Sequence, residues 1–100
     1  MLKSQASVAT PMAEQFLFKL AKHFAKKIPV QQESHQAQLR FEFGDCRMSI
    51  AGEGESLALV FDCETPDAAT QQRLHWVLDA HLELLTRREP LRPVWRALES

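Results

Sequence analysis

The feature that most constrains the fold is an alternation of apolar and polar residues between residues 38 and 63. Leu39, Phe41 and Phe43 are separated by polar residues, and the same period of two returns in residues 46–50 and 57–63. A period of two places successive side chains on opposite faces of a β-strand. The pattern therefore predicts three neighbouring strands that share one apolar face.

Gly44-Asp45 lies between the first two of these segments, and glycine in this position is typical of a type II′ turn. The register that follows pairs three positions across the turn: Phe43 with Cys46, Phe41 with Met48, and Leu39 with Ile50. A second turn at residues 52–55 then pairs Ile50 with Leu57. A shift by one residue would move the whole apolar face to solvent, so we expect the faces to be firmly specified.

Two other segments have apolar residues at helical spacing. Each follows a Thr-Pro pair, Thr10-Pro11 or Thr65-Pro66, which is typical of an N-cap followed by proline at the first helical position. Proline also ends both segments, at Pro29 and Pro90. The first apolar stripe comprises Ala13, Phe16, Leu17, Leu20, Phe24 and Ile28, and the second comprises Leu74, Val77, Leu78, His81 and Leu85.

The remaining segments complete the predicted order. Residues 2–8 alternate as a strand does, residues 30–37 indicate a weak edge strand followed by a turn, and residues 91–100 are too apolar for a free tail. The order is β-α-β-β-β-β-α plus a C-terminal tail. We expect an α+β two-layer sandwich, with two amphipathic helices on one face of a mainly antiparallel sheet of four to five strands. Residues 1–100 are expected to form a single domain.

The charge balance and hydropathy narrow the functional classes. The net charge of −1 indicates neither a nucleic-acid partner nor an anionic membrane surface. No apolar run approaches the roughly 18 residues that span a bilayer, and the N-terminus lacks the apolar segment of a secretory signal. The expected compartment is the cytoplasm, where Cys46 and Cys63 would be reduced thiols. The basic stripe Lys19, Lys22, Lys26 is expected to be a solvated helix face.

His81 is the most informative polar residue, because it falls within the apolar stripe of the second helix. The first interpretation is a core histidine whose ring nitrogens bond to the backbone or a neighbour. The alternative is a metal site of His23, His81, Cys46 and Cys63, since imidazole and thiolate ligands suit zinc or iron. No CxxC or HxxxH motif supports it, and Cys63 is expected diagonal to Cys46, beyond easy disulfide reach. No cofactor is otherwise predicted.

Two further groups suggest surfaces. Arg87, Arg88, Arg92 and Arg96 could bind an anion through their guanidinium forks, although cations near a helix C-terminus also suit the helix dipole. Trp76 points away from the predicted apolar stripe. Either the tail with Trp95 covers it, which we favour, or Trp76 and Trp95 mark an interface with another chain.

The sequence resembles the bacterial family called domain of unknown function 2218. The run from Phe16 to Val30 is similar to that family's first helix, and the strand from Leu39 to Cys46 is similar to its central hairpin. His81-Leu82-Glu83, Arg88-Glu89 and Trp95 are similar to its last helix and tail. Residues 30–37 depart from it, being more polar and lacking glycine. The resemblance implies no assigned activity; related domains sometimes accompany flavin-dependent siderophore-interacting reductases, which implies an accessory role near iron uptake.

Three functional hypotheses follow. The first is a non-catalytic module that binds another protein or itself as a homodimer, linked to iron or siderophore metabolism. The second is a small metal- or ligand-binding protein with its site between the helices and the sheet. The third is an enzyme whose active site forms only in the folded chain. Such a site would have to combine residues that are distant in the sequence, because GxSxG and phosphate-loop motifs are absent and no nucleophile lies next to a base in the sequence.

Overall fold

The computed structural model describes residues 1–86 and 91–98, and in that part of the chain it contains six strands and two α-helices. The strands are β1 (Leu2–Ala9), β2 (Val30–Gln32), β3 (Gln36–Phe41), β4 (Gly44–Ala51), β5 (Ala58–Thr65) and β6 (Arg96–Leu98). The helices are α1 (Ala13–Phe24) and α2 (Ala68–Leu85), and a 3-10 turn spans Gly54–Ser56. In this part of the chain, neither helix is long and apolar enough to cross a membrane.

The strands form one sheet in the order β2-β3-β4-β5-β1-β6, and every neighbouring pair is antiparallel. Both helices pack against the same face of this sheet, which confirms the predicted α+β fold. The sheet has six strands rather than four to five, because part of the C-terminal tail forms β6 beside β1. The tail is thus packed, as predicted, and it extends the sheet.

The predicted register of the β3–β4 hairpin is wrong by four residues, since each β3 residue pairs four residues earlier in β4 than predicted. Leu39 pairs with Cys46 and Phe41 with Gly44, so Glu42 and Phe43 form the connection. A shift by an even number of residues leaves each side chain on its original face, which is why Leu39, Cys46 and Met48 are still buried. The register between β4 and β5 shifts by two residues, since Ile50 pairs with Leu59 rather than Leu57.

Gly44 and Phe43 explain why the hairpin turns earlier than predicted. A Cβ atom at Gly44 would lie 2.6 Å from the Thr65 Cγ2 atom and 2.8 Å from the Glu64 carbonyl oxygen. Glycine therefore allows β4 to approach β5 closely instead of forming a type II′ turn. Phe43 leaves the strand, stacks near Phe41 with ring centroids 5.4 Å apart, and lies under the Arg73 guanidinium, 4.4 Å from its ring centroid.

The helix starts also differ from the Thr-Pro prediction. The helix α1 begins at Ala13, and Thr10 instead accepts a hydrogen bond at its Oγ1 from the Met12 amide in the turn before it. For α2 the N-cap is Asp67, whose Oδ1 accepts a 2.8 Å hydrogen bond from the Thr70 amide. Thr10 and Thr65 thus lie before the helices, and each makes a side-chain hydrogen bond with the backbone that enters its helix.

The core lies between the helices and the sheet. Helix α1 buries the predicted stripe except that Ile28, beyond its end, is only half-buried. In α2 the fully buried positions are Leu74, Leu78 and Leu82, and the predicted Val77, His81 and Leu85 are half-buried at the side of that stripe. The innermost strand residues beneath them are Leu39, Cys46, Met48, Leu59 and Phe61.

Candidate functional site

The C-terminal tail is attached to the fold through an aromatic stack. The Trp95 indole lies on the His75 imidazole with ring centroids 3.9 Å apart and an interplanar angle of 6°. Its Nε1 donates a 2.8 Å hydrogen bond to Asp79 Oδ1, one turn further along α2. His75 Nε2 also shares a 2.7 Å hydrogen bond with the Oγ of Ser4, which is buried in β1. The imidazole therefore connects three elements, namely α2, β1 and the tail.

His75 is a functional candidate that the sequence interpretation missed. Burial lowers the pKa of its imidazole, and the Asp79 carboxylate partly offsets that effect. The only sequence signal was the four-residue spacing of His75 and Asp79, which places both on the same side of a helix. That side adjoins the predicted leucine stripe, so a helical projection could have indicated a second, polar contact surface.

His23 and His81 lie together where α1 meets α2, with ring centroids 4.8 Å apart. His81 Nδ1 donates a 2.7 Å hydrogen bond to the Val77 carbonyl oxygen, so its Nε2 carries the free lone pair in the neutral ring. His23 Nε2 is shielded from solvent and has no hydrogen-bond partner among the described residues. Phe24 packs against both imidazoles, at centroid distances of 5.7 and 4.7 Å.

The predicted interpretation of His81 as a satisfied core histidine agrees with its bond to Val77. His23 is different, because its buried nitrogen has no such partner. Burial lowers the pKa of His23, and His81, Lys27 and Lys26 lower it further, so the neutral ring is favoured. The surroundings of this pair are therefore electropositive.

Cys46 and Cys63 form a second pair, deeper in the sheet. They are direct partners across β4 and β5 rather than diagonal neighbours, so that expectation is wrong because the β4–β5 register differs from the predicted one by two residues. Both are free thiols and both are buried. Burial raises the pKa of the Cys46 thiol well above its ordinary value, and the neighbouring Cys63 raises it further. A thiol held in its protonated form is a poor nucleophile and a poor metal ligand.

The four predicted metal ligands are thus divided into a histidine pair and a cysteine pair. In residues 1–86 and 91–98, no three His, Cys, Asp or Glu side chains come close enough to hold one metal ion. Zinc sites in proteins use three or four such ligands. The four-residue site does not form in this arrangement, and what the structure offers is two imidazoles with an unpartnered nitrogen between the helices.

The predicted anion site cannot be followed through all its residues. Arg87 and Arg88 lie outside the described residues, and Arg92 is exposed. Arg96 donates a 2.8 Å hydrogen bond from Nη2 to Gln5 Oε1 on the open face of the sheet. Gln5 in turn donates to Asp62, which lies 4.0 Å from Arg47. Arg96 thus belongs to a polar row across four strands, and anion binding remains a prediction.

Residues 91–98 of the tail do not cover Trp76, so that favoured expectation is wrong. Its side chain is 70% exposed, while Trp95 stacks on His75 along a different side of α2. Ala80 and Leu84 follow Trp76 at intervals of four residues, and Leu84 is 56% exposed. We call Trp76, Ala80 and Leu84 the outer α2 stripe. The sequence shows this spacing, but the stronger stripe of buried leucines obscured it.

The outer α2 stripe leads into an apolar groove. This groove is also lined by Met12 just before α1, and by Phe16 of α1, Leu85 of α2 and Leu91 of the tail. Leu84 lies at the same groove. Met12 is itself 42% exposed. The apolar surface of α2 therefore continues from the outside of the helix towards the N-terminal end of α1.

Fold and surface together define a small α+β domain whose helical layer carries exposed apolar side chains over a polar sheet. The chain belongs to the bacterial DUF2218 family, described as uncharacterized proteins conserved in bacteria, whose model matches residues 5–96. The NMR structure of PA4090 from Pseudomonas aeruginosa is similar, with a TM-score of 0.78 and 22% identity over 100% of each chain. That similarity shows the fold alone. No curated protein matches the chain.

Proposed function

We propose that this domain is a non-catalytic interaction module that pairs with a second copy of itself through the outer α2 stripe. The observation that supports it is the exposure of Trp76 and Leu84 on a helix whose opposite side is already buried. A helix that is apolar on two sides normally buries both of them. Exposed apolar patches of this kind mark interaction sites more often than isolated exposed residues do.

The spacing of the stripe favours a symmetric partner. Trp76 lies four residues before Ala80, and Leu84 lies four residues after it. In an antiparallel pair of α2 helices centred on Ala80, each Trp76 therefore faces the partner's Leu84. A small residue at the centre lets the two helices approach closely. A contact of this type is self-complementary, as a two-fold axis requires.

The area of this surface indicates a weak dimer. A tryptophan side chain contributes at most about 250 Å² of buried surface, and the stripe has only two large members. Stable interfaces bury about 800 Å² per partner, so the stripe and the groove rim fall below that size. We expect dissociation in the micromolar range or weaker, and sedimentation should be measured from about 1 μM to 1 mM.

The decisive experiment uses two charged variants of opposite sign. Trp76→Lys and Leu84→Glu should each be monomeric across the dilution series. Mixed in equal amounts they should form a heterodimer, because the ammonium introduced in one chain then faces the carboxylate introduced in the other, while one native Trp–Leu contact remains. Phe18→Glu is the matched control, since Phe18 is 60% exposed on α1 but lies outside the stripe. A wild-type monomer at all concentrations would contradict self-pairing and favour a different partner protein.

A cytoplasmic accessory role in iron or siderophore metabolism is part of this proposal, supported by the family resemblance alone. In that role the paired domain would act beside a flavin-dependent siderophore-interacting reductase and supply no catalytic group. Binding of such a reductase, measured with wild type and with Trp76→Lys, tests the link. Equal binding of the reductase by wild type and by Trp76→Lys would show that the accessory role does not depend on the outer α2 stripe.

A second candidate, a ligand or metal site at His23 and His81, is supported by the unpartnered Nε2 of His23. A bound zinc or iron ion would satisfy that nitrogen, and the free Nε2 of His81 could serve as a second ligand. Lys26 and Lys27 oppose a cation there, which places this function second. Added Zn²⁺ should raise the Tm of wild type and of His35→Gln, whose histidine is exposed, but not that of His23→Gln. No shift in wild type would contradict it.

A further inference from the structure

The C-terminal strand β6 has little of its own to hold it in the sheet. It is three residues long, all three are exposed, and it pairs only with Lys3, Ser4 and Gln5 at the edge of β1. A short edge ladder of this kind opens easily, because few backbone hydrogen bonds and little apolar burial oppose its release. The residue immediately before it, Trp95, supplies the larger contact.

Trp95 and His75 together fasten the tail to α2 and β1. The indole is held by its near-parallel stack on His75 and by its hydrogen bond to Asp79. It also approaches the buried Phe61 ring, at a centroid distance of 5.9 Å. Because Trp95 covers one face of the His75 ring and Ser4 occupies its Nε2, the ring is fully hydrated only when Trp95 moves away.

We propose that His75 and Trp95 form a pH-sensitive latch, which holds β6 on the edge of β1 and releases it when His75 gains a proton. The stack covers the imidazole, so a positive charge there loses hydration that it regains in the open form. The hydrogen bond to Ser4 survives protonation with Nε2 as the donor, so the cost lies in burial rather than in a broken bond.

The charges around His75 set the size of the effect. Asp79, on the same helix, favours the protonated ring and reduces the penalty. Ser4 of β1 is uncharged, and Arg96 of the tail directs its guanidinium to Gln5 on the opposite face of the sheet. The net result is a pKa lowered from the ordinary value of 6.5, chiefly by burial.

The sign follows from proton linkage. In the proposed open form the imidazole is hydrated and titrates with the ordinary pKa of 6.5. The closed form, whose pKa is lowered by burial, therefore binds the proton less readily, and the latch is fully stable above pH 6.5. As the pH falls below that value the open form gains protons first, and closing weakens until the pH passes the lowered pKa. Each unit of lowering increases the open population by up to about tenfold.

Trp76→Phe makes Trp95 the only tryptophan, and thus a reporter of the latch at low micromolar concentration. Between pH 7.5 and 5 its emission should shift to the red. Amide exchange of β6, corrected for its intrinsic pH dependence, should accelerate about tenfold for each unit of pKa lowering, with far-UV circular dichroism unchanged. The reference is the double variant Trp76→Phe/His75→Gln, which keeps His23 and every other titrating group. Its emission and exchange should not show this transition.

Two results would overturn the latch. One is the same pH-dependent emission and exchange in the His75→Gln reference, since the responsible group would then lie elsewhere. The other comes from the Trp76→Phe protein, which keeps His75, so this measurement does not depend on whether the His75→Gln reference folds. There the His75 Cε1 proton is followed by NMR, and a midpoint at or above 6.5, or β6 exchange that does not follow that midpoint, contradicts the proposal.

Discussion

Replacing Gly44 with alanine tests the close approach of β4 to β5. The new Cβ would lie 2.6 Å from Thr65 Cγ2 and 2.8 Å from the Glu64 carbonyl oxygen, whereas carbon atoms in contact normally stay about 3.5–4.0 Å apart. Thr65 is fully buried and Glu64 contributes backbone, so neither can move aside freely. Overpacking of a tight site costs about 1–3 kcal/mol, and we expect the upper part of that range for the free energy of unfolding.

Urea denaturation of wild type, Gly44→Ala, Thr65→Ser and the double variant separates this contact from general damage to the hairpin. Thr65→Ser removes Cγ2, so Gly44→Ala should cost roughly 1 kcal/mol less in that background than in wild type. Gly54→Ala is the control, because its Cβ meets nothing within 4 Å and only the backbone angle φ of +55° opposes it. A Gly44→Ala protein as stable as wild type would refute the register. Full additivity with Thr65→Ser would show that the side chain of Thr65 is not the obstacle.

Two further predictions concern α2. Leu78→Ala should lower the free energy of unfolding by about 2–5 kcal/mol, because Leu78 is fully buried. Trp76→Ala should change the free energy of unfolding of the dilute monomer by less than about 0.5 kcal/mol, because Trp76 is exposed. Equal losses for the two variants in urea denaturation would contradict the assigned faces of α2. Asp67→Ala should remove the α2 N-cap and lower the Tm. Hydrogen bonds from Thr70 lower the pKa of Asp67, so the difference in Tm between wild type and variant should be present at neutral pH and shrink as the pH falls through that lowered pKa. A difference in Tm that grows in acid would contradict the cap.

The faces of the strands and helices could be predicted because each depends on a simple period. The alternation around Leu39 and Met48 identified the buried side of the sheet even though the pairing was wrong by four residues. Register depends instead on where the chain turns, and a glycine in the sequence can either form a turn or allow two strands to approach closely. At Gly44 the glycine makes room for Thr65, which a single sequence does not distinguish from a turn.

The candidate sites were harder to predict because their residues are brought together by tertiary contacts. His23 and His81 lie together where α1 meets α2, and their separation from Cys46 and Cys63 depends on how the helices cross the strands. The stack of His75 on Trp95 depends on the tail returning along β1. Nothing local to residue 75 or 95 specifies that return.

The two edges of the sheet have a consequence for how these molecules meet at high concentration. An exposed strand edge presents free amide and carbonyl groups, which template the addition of foreign strands and the growth of fibrils. Here β2 and β6, which occupy those edges, are each only three residues long. Beside β2, Pro29 lacks an amide proton altogether. Each terminal strand thereby offers only a short row of free backbone groups for edge-to-edge polymerisation. The proposed pairing through side chains on the helical layer can, in contrast, stop at a defined number of subunits.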